Sequence, residues 1–285
     1  MLDVSIENNV AQVTLNRPEK HNTFDDVLIE ELTKNFQQID SDPTARVMVL
    51  AANGKSFSAG ADLSWMKRMA NYSYEENLAD AEKLANMLKV LDSMRTPTIA
   101  KVQGAAFGGA VGLVSCCDIA IGSHNANFCL SEVKIGLIPA TISPYVIAAM
   151  GERRARRYFL TAERFNAEEA CSIGLLSEYC DHEELDSTVN KTVALLLKNS
   201  PQALSEAKRL VLDYRNQPMN AELIQNSSER IAKIRTSNEG QEGLSAFLEK
   251  RNPGWLVSWL ADDEKIANEQ KSKNRSTNEG EDNVQ

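Results

Sequence analysis

The sequence predicts an α/β architecture followed by a separate helical C-terminal subdomain, on the strength of three observations. Buried-strand runs alternate with helix-spaced apolar residues along most of the chain, two Gly/Ala-rich turns follow such strands, and from Glu184 onward only helical spacing remains.

Taken in order, Val4 and Ile6, then Val10, Val13 and Leu15, alternate around Asn8-Asn9 and predict a β-hairpin with one buried face. Asn16-Arg17-Pro18 ends it. Val27, Leu28, Leu32, Phe36 and Ile39 carry helical spacing from about Asp25 to Asp40, and Arg46 to Ala52 is an apolar run suited to a fully buried strand. The pattern recurs as a helix over Glu75 to Ser93, a strand from Thr98 to Val102, a helix starting in the glycines after Gly104, and a strand from Asp118 to Gly122. The helical part breaks at Pro201, at Asn216 to Pro218 and near Ser237-Asn238. Past Pro253 come Trp255 and Trp259, and residues 262 to 285 are almost wholly polar. The expected organisation is a core over 1–198, a helical subdomain over 199–258 and a disordered tail over 259–285.

Composition excludes several classes of function. A net charge of -9 over 285 residues argues against a nucleic-acid partner, because neutralising phosphates needs clustered cations, and Arg153, Arg154, Arg156 and Arg157 form too short a cluster. Five cysteines, Cys116, Cys117, Cys129, Cys171 and Cys180, are an odd number with no C-x-x-C, so reduced thiols in a cytoplasmic setting are expected. His21, His124 and His182 lie far apart in sequence, and no metal site is expected. The start Met1-Leu2-Asp3 gives no sign of a signal peptide, and no run reaches the ~20 apolar residues of a membrane span.

Two familiar phosphate motifs fail on spacing. Gly54-Lys55-Ser56 resembles the end of a phosphate loop, but Val49 stands where that loop needs its first glycine. Gly104, Gly108, Gly109 and Gly112 miss the G-x-G-x-x-G register. What Phe57 to Leu63 and Gly104 to Ala110 share is small side chains where a strand gives way to a helix. Amides at such a helix start point outward with the positive end of the helix dipole behind them, so two of these turns together could hold an oxyanion. Glycine content alone equally fits tight turns.

Five segments settle between these readings by resemblance. Asn16-Arg17-Pro18, Phe57-Ser-Ala-Gly-Ala-Asp-Leu63, Gln103-Gly-Ala-Ala-Phe-Gly-Gly109, Cys117-Asp-Ile-Ala120 and Ser131-Glu-Val-Lys-Ile-Gly-Leu137 are similar, in order and spacing, to the crotonase (enoyl-CoA hydratase/isomerase) superfamily, over about residues 3 to 252. The resemblance implies a ββα spiral core with a helical C-terminal oligomerisation subdomain, assembled as homotrimers or dimers of trimers. It implies an acyl-CoA substrate, with coenzyme A entering as part of that substrate and no other cofactor. Carried over by residue, Ala61 and Gly109 would supply the backbone donors of an oxyanion hole, and Glu132 would be the catalytic carboxylate. The pantetheine would pass Ala59, Gly60, Ala61, Asp62 and Leu63, with the nucleotide near the surface around Lys20, His21 and Asn22. Gly108, Gly109, Gly112, Glu132 and Gly136 would border the acyl group, and Phe247 and Lys250 would approach a neighbouring subunit's ligand. Phe247 fits the core of an amphipathic helix equally well.

One departure bears on the reaction. Familiar hydratases of the superfamily carry a first glutamate twenty residues before the second, where this chain has Gly112. The expectation is one working carboxylate and a pocket enlarged at Gly112. Asp62-Leu63-Ser64-Trp65-Met66 resembles the methylglutaconyl-CoA hydratase branch, and Phe128 to Glu132 with Thr161 to Phe165 resembles the carboxygeranoyl-CoA hydratases. These resemblances imply hydration of a branched, carboxylated enoyl-CoA, with Lys67, Arg68 or Lys134 as candidate cations for the distal carboxylate. Single-glutamate Δ3,Δ2-enoyl-CoA isomerisation is the alternative, and a non-catalytic CoA-binding scaffold is a third reading.

Overall fold

The computed structural model describes residues 1–256 and divides into two compact units, Met1–Val193 and the chain from Ala194 onward. The division falls inside a helix, a few residues before the boundary at 198 that the sequence suggests. Trp259 and the expected tail over 259–285 lie outside the described residues.

The first unit opens with the hairpin β1 (Leu2–Glu7) and β2 (Val10–Leu15), paired antiparallel. Asn8 and Asn9 take positive φ values of 53° and 65°, as a two-residue turn matching the strand twist requires. Helix α1 (Asp26–Ser41) is capped by the Asp25 carboxylate, which accepts from the Leu28 N–H, and buries Leu28, Ile29, Leu32, Phe36 and Ile39. Strand β3 (Val47–Ala52) is buried at every position. It pairs in parallel with β2 and a further strand, and because the layers on both faces of the sheet cover it, the run is apolar instead of alternating.

From there the chain repeats one unit three times. The first pass is β3, β4 (Ser56–Ser58), α2 (Leu63–Met69) and α3 (Tyr74–Ser93), the last opened by a capping box between Ser73 and Glu76. The second is β5 (Thr98–Val102), β6 (Ala105–Phe107) and α4 (Gly109–Cys116). The third is β7 (Ile119–Ser123), β8 (Asn127–Cys129), a 3-10 turn over Glu132–Ile135 and α5 (Ser143–Met150). Helix α6 (Glu152–Thr161), β9 (Phe165–Asn166), α7 (Ala167–Ser172), β10 (Glu178–Cys180) and α8 (Leu185–Leu197) follow. In each pass the longer strand joins a sheet ordered β1-β2-β3-β5-β7-β10, and the short strand joins a second sheet ordered β4-β6-β8-β9. This is the predicted α/β class, in the form of a ββα spiral. The short strands escape sequence reading because three residues show no periodicity.

Phe36, Met48, Leu50, Phe57, Leu88 and Phe128 are completely buried in one continuous core between these layers. Truncating such a side chain to alanine costs about 2–5 kcal/mol.

The second unit is helical, with α9 (Pro201–Tyr214), α10 (Ala221–Arg235) and α11 (Asn238–Glu249). Ser200, Asn220 and Ser237 cap their N-termini, at the breaks the sequence marks. A cavity of about 500 Å³ between α9 and α10 is bordered by Arg209, Asp213 and Arg230. Asp213 is paired there with both arginines, which hold its carboxyl below the usual aspartate range.

Candidate active site

Three parallel strands of the smaller sheet end together. The registers Ser58↔Ala106 and Phe107↔Cys129 place the chain leaving β4, β6 and β8 at one edge, so residues 59–62, 108–109 and 130–132 are neighbours. Carboxyl ends of parallel strands are where crevices form in such sheets.

Two buried amides anchor this edge. The Ser56 carbonyl accepts from Asn22 Nδ2 at 2.9 Å and from Gln103 Nε2 at 3.1 Å. Asn22 Nδ2 also reaches the Asn53 carbonyl, Gln103 Nε2 reaches those of Ala52 and Gly54, and Asn22 Oδ1 accepts from the Arg17 N–H. The turn between β3 and β4 is thereby tied to both the N-terminal loop and the start of β6. Gly104, beside Gln103, has no room for a side chain, since a Cβ would lie 1.9 Å from the Lys55 carbonyl oxygen.

The first candidate donor follows β4. Phe24 and Ala61 form an isolated parallel bridge in which the Phe24 N–H donates to the Gly60 carbonyl and the Asp62 N–H to the Phe24 carbonyl. The Ala61 N–H therefore faces away from the bridge. Gly60 holds φ at +95°, and its Cβ position is 3.3 Å from the Phe107 carbonyl oxygen, so the two glycine turns meet there. Asp62 caps α2 by accepting from the Ser64 and Trp65 amides. Burial pushes its pKa up, but those amides and the Lys20 and Arg17 charges outweigh burial and hold it below the usual range.

The second candidate donor is Gly109, the first residue of α4, whose N–H has no acceptor within its own helix. Gly108 before it donates to the Cys129 carbonyl at 2.8 Å and adopts φ 53°, ψ -121°, a conformation that only glycine takes without strain. Ala61 and Gly109 are both half-buried, and neither amide meets an acceptor among the described residues.

Glu132 completes the cluster. Its Oε1 lies 3.1 Å from the Cβ position of Gly108, so the missing side chain of Gly108 makes the space that the carboxylate occupies. Its Oε2 is buried with no hydrogen-bond partner in the protein. Burial pushes its pKa up, against a smaller opposing pull from its own backbone N–H. A desolvated carboxylate with a raised pKa, beside two unused amides, suits proton transfer next to a developing oxyanion.

At Gly112 the expected enlargement is absent. A Cβ there would come within 2.4 Å of Ile142 Cγ2 and 2.9 Å of Ile142 Cβ, with Leu88 Cδ2 at 3.4 Å. Ile142 is 1% exposed, so the space that glycine leaves is filled by the core. Gly112 itself is buried against these apolar groups.

Of the residues expected near the nucleotide, Asn22 is buried and its side chain is occupied by the anchor just described. Lys20 and His21 are exposed, and His21 Nδ1 lies 3.2 Å from Ser56 Oγ. Leu63 is exposed at the start of α2, and Gly136 ends the 3-10 turn in the left-handed region with open space around it. Lys67 and Lys134 are exposed, whereas Arg68 is paired with Asp26. Phe247 is 81% exposed, which excludes its core reading, and Lys250 caps α11 in the left-handed region, both within the helical unit. Sequence reasoning assigned no role to Phe24 or Ile142. The polar Gln103 inside a buried segment was the available signal for the amide anchor.

Among the described residues no group of His, Cys, Asp or Glu is placed to hold a metal ion, and no helix is long and apolar enough to cross a membrane.

The cluster thus consists of two strand-end turns with outward amides around one desolvated glutamate, on a ββα spiral. The chain belongs to the enoyl-CoA hydratase/isomerase family, whose pattern it matches over residues 5–257. It is similar to the crystal structure of an enoyl-CoA hydratase from Shewanella pealeana, with 49% identity, a TM-score of 0.87 and coverage of 89% of this chain and 95% of that one. A mevalonyl-coenzyme A hydratase of Aspergillus fumigatus is 30% identical, over 88% of this chain and 93% of the relative. A trans-2-decenoyl-[acyl-carrier-protein] isomerase of Streptococcus mutans is 28% identical over 252 residues, covering 87% of this chain and 95% of the relative.

Proposed function

We propose that the protein hydrates a 2-enoyl-CoA with Glu132 as its one proton-handling carboxylate. The observation that carries this reading is the placement of Glu132: desolvated, with Oε2 unengaged, against the glycine that precedes the Gly109 donor. Glu132 takes a proton from water as the hydroxide adds to C3. The electron pair of the double bond moves onto the thioester oxygen, where the Ala61 and Gly109 amides stabilise it. The protonated Glu132 then delivers the proton to C2, so the atoms of one water are consumed. Fixed donors aimed where charge develops lower the barrier, and losing one costs about 10²–10³-fold in rate.

A second reading is supported by the filled space at Gly112. With Ile142 there and no second carboxylate, the same glutamate could move a proton from C2 of a 3-enoyl thioester to C4, with no water consumed. The deciding experiment incubates the full chain with 2-enoyl- and 3-enoyl-CoA panels in H₂¹⁸O. Hydration leaves ¹⁸O in a product heavier by one water, and isomerisation yields the conjugated thioester at unchanged mass. No turnover of either panel would overturn both readings.

The finer assignment is a branched acyl group ending in a carboxylate, supported by the resemblance of Asp62 to Met66 to the methylglutaconyl-CoA hydratases, so 3-methylglutaconyl-CoA belongs in the panel. Exposed Lys67 and Lys134 are the cations available to that carboxylate. We take coenzyme A to enter only as part of the substrate, with no other cofactor. A cytoplasmic protein working as a trimer or dimer of trimers completes the reading, and light scattering on the purified chain tests the assembly.

A further inference from the structure

We infer that Ile142 is a specificity-determining residue: by filling the side-chain space of Gly112 it excludes a second proton-handling group and restricts the enzyme to one-carboxylate chemistry. This rests on the proposed enoyl-CoA reading. It adds that the restriction is imposed by packing as well as by the missing glutamate.

The geometry points to an interlocked pair. Gly112 follows Gly109 by three residues on α4, so a side chain there would lie on the helix face above the Gly109 turn. Ile142 stands just ahead of α5, at the end of the loop that begins with Glu132. The first turn of that loop is closed by the Leu137 N–H donating to the Glu132 carbonyl, and its end is fixed by the Val146 N–H donating to Ile142. Loop and helix are therefore both held, and beside the 2.4 Å contact with the Cγ2 methyl the 2.9 Å contact is with Cβ itself, the branch point of Ile142, which no change of rotamer moves away. Restoring a carboxylate at position 112 thus requires a change at position 142 as well.

The test compares wild type with Ile142→Ala, Gly112→Glu, Gly112→Glu/Ile142→Ala and Gly112→Gln/Ile142→Ala. The readouts are thermal melting and the ratio of ¹⁸O-hydrated to double-bond-migrated product from one enoyl-CoA pool. Gly112→Glu alone is expected to melt well below wild type, and adding Ile142→Ala is expected to recover part of that loss. The Glu/Ala double variant is expected to raise the hydration ratio about 10-fold over Ile142→Ala, while the Gln/Ala control stays near it. The inference is overturned if Gly112→Glu alone melts like wild type, or if it gains hydration as fully as the double variant. It is also overturned if the Glu/Ala and Gln/Ala proteins give the same ratio. Absence of turnover in wild type would count against the enoyl-CoA reading, and non-additive melting of the two single changes would still report the interlock.

Discussion

Gly108 and Gly112 lie one helical turn apart at the start of α4, and both lack a side chain for reasons that the surrounding space makes opposite. Over Gly108 stands the carboxylate of Glu132, 3.1 Å from where a Cβ would be, and over Gly112 stands the Ile142 methyl at 2.4 Å. One glycine makes room for chemistry and the other for core. Substitution at Gly108 should therefore damage turnover more than stability, and substitution at Gly112 should do the reverse.

The largest effect expected is at the group that Gly108 accommodates. Glu132→Gln keeps the shape and removes the base, and should lower kcat by about 10²–10⁴-fold while leaving substrate binding nearly intact. Steady-state kinetics on the best substrate of the panel checks this. Turnover close to wild type would remove Glu132 from the mechanism.

Next comes Gly108→Ala. The new methyl meets Oε1, and the backbone at φ 53°, ψ -121° disfavours any side chain by about 1–3 kcal/mol. The carboxylate and the Gly109 amide should both shift, with kcat falling about 10²-fold, comparable to loss of one oxyanion donor. Gly112→Ala should cost about 1–3 kcal/mol of stability through overpacking against Ile142, with a smaller fall in kcat. Denaturant unfolding and kinetics on both variants test the crossing, and an equal kcat loss at the two sites would refute it.

Much of the fold was legible because its long strands and helices carry clear periodicity: β3 is apolar throughout, and α1 shows every buried residue at helical spacing. The smaller sheet was not legible, although it gathers the site, because its strands are only two or three residues long. At the site, small residues after strands pointed to two turns with outward amides, and the family resemblance singled out Ala61 and Gly109 within them, together with Glu132. The contents of the space beside each glycine could not be read, since Ile142 is thirty positions from Gly112 in sequence and meets it only through the fold. The burial of Asn22 could not be read for a related reason. A polar residue in a turn reads as exposed, and its burial depends on distant carbonyls at Asn53 and Ser56.

A smaller effect concerns pH. Burial raises the Glu132 pKa in the folded protein above its unfolded value, so its contribution to stability is fully present below the unfolded pKa, near about 4.3 for a free glutamate, and is lost as pH rises through the folded value. Glu132→Gln has no such loss. It should be more stable than wild type at neutral pH, with the difference shrinking as the solution is acidified towards the ordinary glutamate range. The same raised pKa should set the acidic limb of kcat/KM, because the base works ionised, so activity should begin to fall at a pH above that range. Unfolding curves across pH for both proteins, set beside the wild-type rate profile, test the link. If the stability difference and the rate limb moved over different pH windows, the carboxylate buried beside Gly108 would not be the group that titrates in turnover.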